Sequence, residues 1–296
     1  MKGSTLLVGL VGVLVAVSLP LSTGGEPAHA KKDDVRKVYA NSDPGTDADL
    51  IENALTGCRG CTVELYGHFH VNRSIKVSDF SGHIKGEGKD VTIVEAKAPF
   101  EPVYVDLVGQ ELGILLWLDK PAGDIRIEGL TFQVSHPSPM EPHFNPFLGI
   151  HDSTALDNLL VILRRSTEDD CDCRTQEIDI NEAVMRGAIS TADGSYNDKN
   201  VIFCGIVGPF WTGPVETTVG DSDFAHCGET AYESWSYSKG SSIFTHNTVS
   251  HSTTGVWVSG NEANVRTTIT NNKFVNVVEP ISIVKPSGKV IVEENE

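Results

Sequence analysis

A short pattern recurs near the end of the chain and restricts the fold more than any other feature. Phe244-Thr245-His246-Asn247, Ile269-Thr270-Asn271-Asn272 and Val292-Glu293-Glu294-Asn295 each place an apolar residue three positions before an Asn. The Asn residues are 272 − 247 = 25 and 295 − 272 = 23 positions apart. A repeat of that length marks a solenoid. Leucine-rich repeats share the period, but their Leu-x-x-Leu-x-Leu pattern is missing. The repeats instead hold short β-branched or aromatic runs at 269–274, 280–284 and 289–292, separated by Gly, Asn, Ser and Pro. Such runs read as strands joined by turns. Each repeat is therefore expected to form one coil, stacked on the next at a spacing of about 4.8 Å. An Asn in a turn tolerates left-handed geometry and can pass an amide hydrogen bond to the Asn above and below.

Extended backwards, Phe224-Ala225-His226-Cys227 and Val201-Ile202-Phe203-Cys204 fit the same frame, at spacings of 247 − 227 = 20 and 227 − 204 = 23. The frame makes Cys204 and Cys227 equivalent positions, close enough for a disulfide. That bond is expected, with stacked free thiols as the alternative. The frame also predicts that His226 and His246 stack at one turn.

Gly82-His83-Ile84-Lys85-Gly86-Glu87-Gly88-Lys89-Asp90-Val91-Thr92-Ile93, Asp124-Ile125-Arg126-Ile127-Glu128-Gly129-Leu130-Thr131-Phe132 and Asn271-Asn272-Lys273-Phe274 resemble successive coils of the pectate-lyase-like β-helix superfamily. The resemblance covers roughly 45–135 and 200–296. It implies an all-β, right-handed parallel β-helix that works on polysaccharides from exposed strands and turns. The Asn-Thr-Asp, Gly-His-Gly and Arg-Ile-Lys motifs of polygalacturonases are absent, as are Trp-Ile-Asp-His of pectate lyases and Asp-Pro-His-Asp of alginate epimerases.

The first 30 residues have the order of a secretory signal peptide. Lys2 precedes an apolar run from Leu6 to Leu21, and Ala28-His29-Ala30 is an A-x-A cleavage signal. The run is shorter than the roughly 20 residues of a membrane span. The expected mature chain, 31–296, has no transmembrane segment and is secreted or periplasmic. Thr46-Asp47-Ala48-Asp49 has capping-box spacing. Leu50, Ile51, Ala54 and Leu55 form an apolar helical face that Gly57 can end. A short helix is thus expected to plug the N-terminal end of the solenoid, with Thr62 to Leu65 as the first strand. Residues 135–200 read as coils with long insertions, within which 159–163 is a strand. The repeat stops at Glu296 in mid-coil, which fits a fragment, a frayed last coil or a coil covered by a partner.

Net charge is −17. That acidity opposes nucleic-acid binding, which needs a basic stripe. An anionic polysaccharide would need Ca²⁺ as a bridge, or a local basic groove. Six cysteines in an exported chain favour disulfides. The Cys58-x-x-Cys61 pair reads as a structural disulfide or free thiols rather than a redox or zinc site.

Asp221, Asp223, His226, His246, His251 and Arg266 gather in the last coils. The candidate catalytic residues are Asp223, His226, His246 and Arg266. Two carboxylates can work as an acid/base pair, His as a base near neutral pH, and Arg as the grip on a uronate. Asp221 and Asp223 are the candidate Ca²⁺ ligands. Trp211, Tyr232, Trp235 and Tyr237, expected in connections between repeats, are candidates for stacking on sugar rings. All of these residues also suit solvated turns or outer packing. Three functions stay open: a polysaccharide lyase or glycoside hydrolase, a non-catalytic glycan-binding β-helix, and a structural or adhesive segment of a larger exported protein. The first is preferred.

Overall fold

The computed structural model describes residues 34–105, 110–134, 144–145, 150–151, 158–165, 176–187, 203–210, 214–227, 230–235, 239–259, 264–284 and 288–296. The expected signal peptide lies outside these residues. Among the described residues, no helix is long and apolar enough to cross a membrane.

Among the described residues, three large parallel sheets build the molecule, of nine, seven and seven strands. The chain visits them in a fixed cycle. Arg59–Tyr66 lies in the first sheet, His68–Arg73 in the second and Ile75–Ser78 in the third. Ser81–Lys85 then returns to the first sheet beside Arg59–Tyr66, and the cycle repeats to Lys289–Glu293. This arrangement fits a parallel β-helix.

The alternation of residues along each strand decides what lies inside. Val63, Ile84, Ile127, Ile180, Val219, Phe244, Ile269 and Val292 occupy one row of the first sheet. Phe69, Val94, Phe132, Met185, Phe224, Val249 and Phe274 form the matching row of the second. Apart from exposed Val292, and with Phe274 only partly buried, these rows and their counterparts in the third sheet close on one another as an apolar core. The third sheet also has an apolar outer patch of Ile114, Trp117 and Val161. Val103 and Leu112, from the hairpin Val103–Val105/Gln110–Leu112, pack on that patch.

The corners between the first and second sheets share one design. From Glu182 onward, a residue with positive φ is followed there by a buried or half-buried one. Glu182, Asp221, His246, Asn271 and Glu294 have φ between 48° and 57°. They precede Ala183, Ser222, Asn247, Asn272 and Asn295. Left-handed backbone is uncommon for residues other than Gly, and Asn, Asp and His are enriched there. The second positions make the ladder expected from the sequence. Asn247 Nδ2 donates to Val219 O (2.9 Å) and to Asn272 Oδ1 (3.1 Å). Asn272 Nδ2 donates to Phe244 O (3.0 Å) and to Asn295 Oδ1 (2.9 Å). Ser222 N donates to Asn247 Oδ1 and Ala183 N to Ser222 Oγ, which extends the ladder N-terminally.

The ladder therefore continues into Ser222 and Ala183, not into Cys227 and Cys204. Ala225 pairs with Ser250, so Cys227 corresponds to Ser252, at a corner between the second and third sheets. Cys204 lies in the third-sheet strand Phe203–Phe210. The misalignment has a physical cause. Phe224-Ala225-His226-Cys227 and Phe244-Thr245-His246-Asn247 each run from a buried aromatic to a left-handed His and then a buried residue. Two different corners thus have the same sequence signature.

At the N-terminal end, the helix spans Pro44–Leu55. Its N-cap is Asp43, whose side chain accepts from Thr46 N, with Pro44 opening the helix. Thr46, expected as the cap, lies inside the first turn. The helix buries Ala48, Ile51 and Leu55 in the core, while Leu50 is exposed. Buried Asp47 accepts from Asn41 N and His70 N and so ties the helix to the sheets. A strand not anticipated from the sequence, Val35–Tyr39, precedes the helix and pairs with Arg59–Tyr66. Cys58 and Cys61 form a disulfide beside this end. In the region read as inserted, Asn158–Arg165 is a strand of the third sheet, as expected for 159–163.

Two adjacent Asn residues should respond to substitution in opposite ways. Asn272→Ala removes a buried acceptor and donor shared by three circuits, and should lower unfolding free energy by about 3 kcal/mol. Asn271→Gly relieves left-handed strain at an exposed corner and should be neutral or slightly stabilising. Guanidinium unfolding curves of both variants check this.

Candidate functional site

The acidic and His residues singled out in the sequence divide between two corners. Asp221 and His246 are successive residues of the first-to-second-sheet corner. With Asp223, Glu182 and Lys89 they line a shallow depression of about 420 Å³. The Lys89 ammonium donates to Asp221 O and lies 3.1 Å from Asp223 Oδ2. A protein cation thus stands beside the two residues expected to hold Ca²⁺. His246 Nδ1 lies 3.1 Å from Thr245 Oγ1.

His226 is elsewhere. It sits at a second-to-third-sheet corner and stacks on His251, with ring centroids 4.8 Å apart and planes at 14°. His251 Nε2 lies 3.1 Å from Asn276 Nδ2. So His226 stacks with His251 and not with His246. Arg266 is exposed on the first sheet, paired with Ser241 and Lys289. His246 follows Ser241 by five residues, about 16 Å of strand. The structure therefore gathers Asp221, Asp223 and His246 but leaves His226 and Arg266 apart from them.

The aromatic candidates also separate. Tyr232 was expected in a connection but lies in the core strand Thr230–Trp235, 1% exposed and stacked on Phe244. It has no free face for a sugar. Trp235 ends the same strand, and its side chain lies outside the described residues, as do Trp211 and Tyr237. Cys227 is disulfide-bonded. Cys58 and Cys61 bond each other, so its partner is one of Cys171, Cys173 and Cys204, whose side chains lie outside the described residues.

A second constellation, not read from the sequence, covers the outer face of the first sheet. The strands Ser81–Lys85, Ile125–Glu128 and Gln176–Asn181 are neighbours in register. His83, Arg126 and Asp179 form one outward row, and Lys85, Glu128 and Asn181 the next. Inward Ile84, Ile127 and Ile180 fix this orientation, because successive side chains point to opposite faces. His83 Nε2 lies 3.2 Å from Glu128 Oε1, and Lys85 Nζ lies 3.5 Å from the same oxygen. Arg126 pairs with Glu128 through Nη2 and approaches Asp179 Oδ2 through Nε at 3.7 Å.

The surroundings shift the pKa of two of these groups in the direction of the neutral form. Partial burial lowers the pKa of His83, helped by the Arg126 and Lys85 charges and opposed by Glu128. Partial burial raises the pKa of Asp179, opposed mainly by Arg126. A neutral imidazole can accept a proton, and a carboxyl with a raised pKa can supply one. Perturbed titratable groups gathered on one surface are a functional-site signal.

The signal was present in the sequence as Ser81-Gly82-His83-Ile84-Lys85, Ile125-Arg126-Ile127-Glu128 and Ile178-Asp179-Ile180, where polar and apolar residues alternate. The segments lie 43 and 53 positions apart (126 − 83 and 179 − 126), so the Asn frame did not relate them. No protein-family model, no curated protein and no solved structure matches the chain.

The raised pKa means that native Asp179 binds its proton more tightly than the unfolded chain does. Ionisation as pH rises above the usual carboxylate range therefore costs native stability. Asp179→Asn should be more stable than the wild type at neutral pH. The difference should shrink as pH falls toward the ordinary Asp value of about 3.9 and be gone below it. Thermal melts across pH check this; a variant less stable at pH 7 would mean that the Arg126 pairing outweighs desolvation.

Proposed function

We propose that this chain is an exported, right-handed parallel β-helix of the pectate-lyase-like kind that cleaves an extracellular polysaccharide by proton transfer. The observation carrying this reading is the His83, Arg126 and Asp179 row with Glu128 beside it. A flat parallel sheet presents side chains in a linear array, which suits a linear polymer. Asp179 is the proton donor to the leaving glycosidic oxygen, which elimination and hydrolysis both require. His83 is the base. Arg126 orients a carboxylate or hydroxyl of the sugar. The right hand follows from the strong preference of parallel crossovers. Export follows from the signal-like first 30 residues and agrees with the Cys58–Cys61 disulfide.

A second reading is a non-catalytic glycan-binding or structural β-helix. It is favoured by the mutual pairing of Arg126, Glu128 and His83, which a structural charge ladder would also show.

The test is a panel of neutral and anionic polysaccharides, with and without Ca²⁺. Products are read by ultraviolet absorbance, for unsaturated ends, and by reducing-end release. Cleavage should fall about 100-fold or more in Asp179→Asn and in His83→Ala. Unsaturated products assign elimination, and reducing ends without absorbance assign hydrolysis. Retained glycan binding with no cleavage of any polymer would discard the catalytic reading for the second one. Non-reducing peptide mapping of the same preparation should show Cys227 joined to Cys171, Cys173 or Cys204.

A further inference from the structure

We infer that His68, His70 and Glu95 form a binding site for a divalent first-row transition ion on the outer face of the second sheet. The strand His68–Arg73 alternates, and its Phe69 and Val71 are fully buried in the core. His68 and His70 are therefore both directed outward. The next strand of the sheet, Ile93–Glu101, is in register with it, and Glu95 is opposite His70. Glu95 is only 6% exposed, so its carboxylate is held in place rather than sweeping through solvent.

The donor atoms converge. Glu95 Oε2 lies 2.8 Å from His68 Nε2 and 3.5 Å from His70 Nε2. One ligand atom from each residue falls within 4.8 Å of the others. A tetrahedral ion bound at about 2.0–2.1 Å holds its ligands roughly 3.3 Å apart. The two carboxylate–imidazole distances bracket that value, and the two imidazole donors lie within 4.8 Å of each other. The imidazole rings lie edge to face, centroids 4.6 Å apart, and do not stack flat against each other. The backbone is also anchored, because buried Asp47 accepts from His70 N at 2.8 Å.

Two imidazoles and one carboxylate suit Zn²⁺ and its transition-metal neighbours. Ca²⁺ prefers six to eight oxygens and is not matched here. Three protein ligands leave a coordination position open, and the His68 side chain, 43% exposed, puts that position within reach of solvent. The Lys97 ammonium lies 2.8 Å from Glu95 Oε2. It is a flexible cation on the same oxygen, and an incoming ion has to displace it. This inference is independent of polysaccharide cleavage, since its residues lie on a different sheet from His83 and Asp179.

The experiment is calorimetric titration of the purified protein with ZnCl₂, and with CaCl₂ in parallel. Zn²⁺ should bind and raise the melting temperature. His68→Ala, His70→Ala and Glu95→Gln should each weaken Zn²⁺ binding by about tenfold or more. Lys97→Met, which removes the competing ammonium, should tighten it several-fold. His68 is partly exposed, so His68→Ala should keep the wild-type melting temperature without metal, and its titration reports binding and not folding. Absence of Zn²⁺ binding by the wild type would overturn the inference. So would a His68→Ala/His70→Ala variant that binds Zn²⁺ as tightly as the wild type, or a Lys97→Met variant that binds it more weakly.

Discussion

Exact stacking of equivalent residues from one circuit to the next is the constraint on which the other features depend. In a parallel sheet each strand hydrogen-bonds to the same element of the circuit before it, so residues meet their structural equivalents, with register shifts at Arg59/Cys61 and Val71/Arg73. Apolar residues then form continuous rows, such as Val63 through Val292 in the first sheet. Where the chain turns between sheets, the buried backbone groups lack strand partners. Asn247, Asn272 and Asn295 supply the missing bonds, each side chain serving a main-chain carbonyl in the preceding circuit. The turn itself forces its first residue into left-handed backbone. That is why Asp, His and Asn recur there.

The stacking that assembles the core also orders the outer surface. Lys37, Glu64, Lys85 and Glu128 follow one another along a single outward row and alternate in charge. Beside them, partial burial lowers the pKa of His83 and raises that of Asp179, the latter against the opposing charge of Arg126. On the second sheet the same geometry sets two His residues against one carboxylate. Glycines permit the close approach this needs. At Gly82, φ is +128° and a Cβ would overlap the Cys61 carbonyl oxygen; Gly240 meets Val215 in the same way.

The corner His residues show how one residue type can satisfy two demands. His226, His246 and His251 all occupy left-handed positions, where the backbone alone accounts for a His, Asp or Asn. Asp221 does the same. Their gathering in the sequence therefore reflects turn geometry as much as chemistry. His83 and Asp179 differ because they lie in mid-strand, where the turn makes no demand.

The sequence by itself determined the repeat, the short strands, the Asn ladder from Asn247 to Asn295 and a helix near residues 44–55. Each of these is written locally, in alternation, capping residues or a fixed period. Only the tertiary structure decided which corners are equivalent, because Phe224-Ala225-His226-Cys227 and Phe244-Thr245-His246-Asn247 read alike and belong to different turns. It also decided that Tyr232 is core and that His83, Arg126 and Asp179 are neighbours. Insertions of unequal length lie between the circuits, so positions 43 and 53 residues apart become adjacent through strand pairing alone. No local pattern encodes those distances; the register of the stacked sheets does.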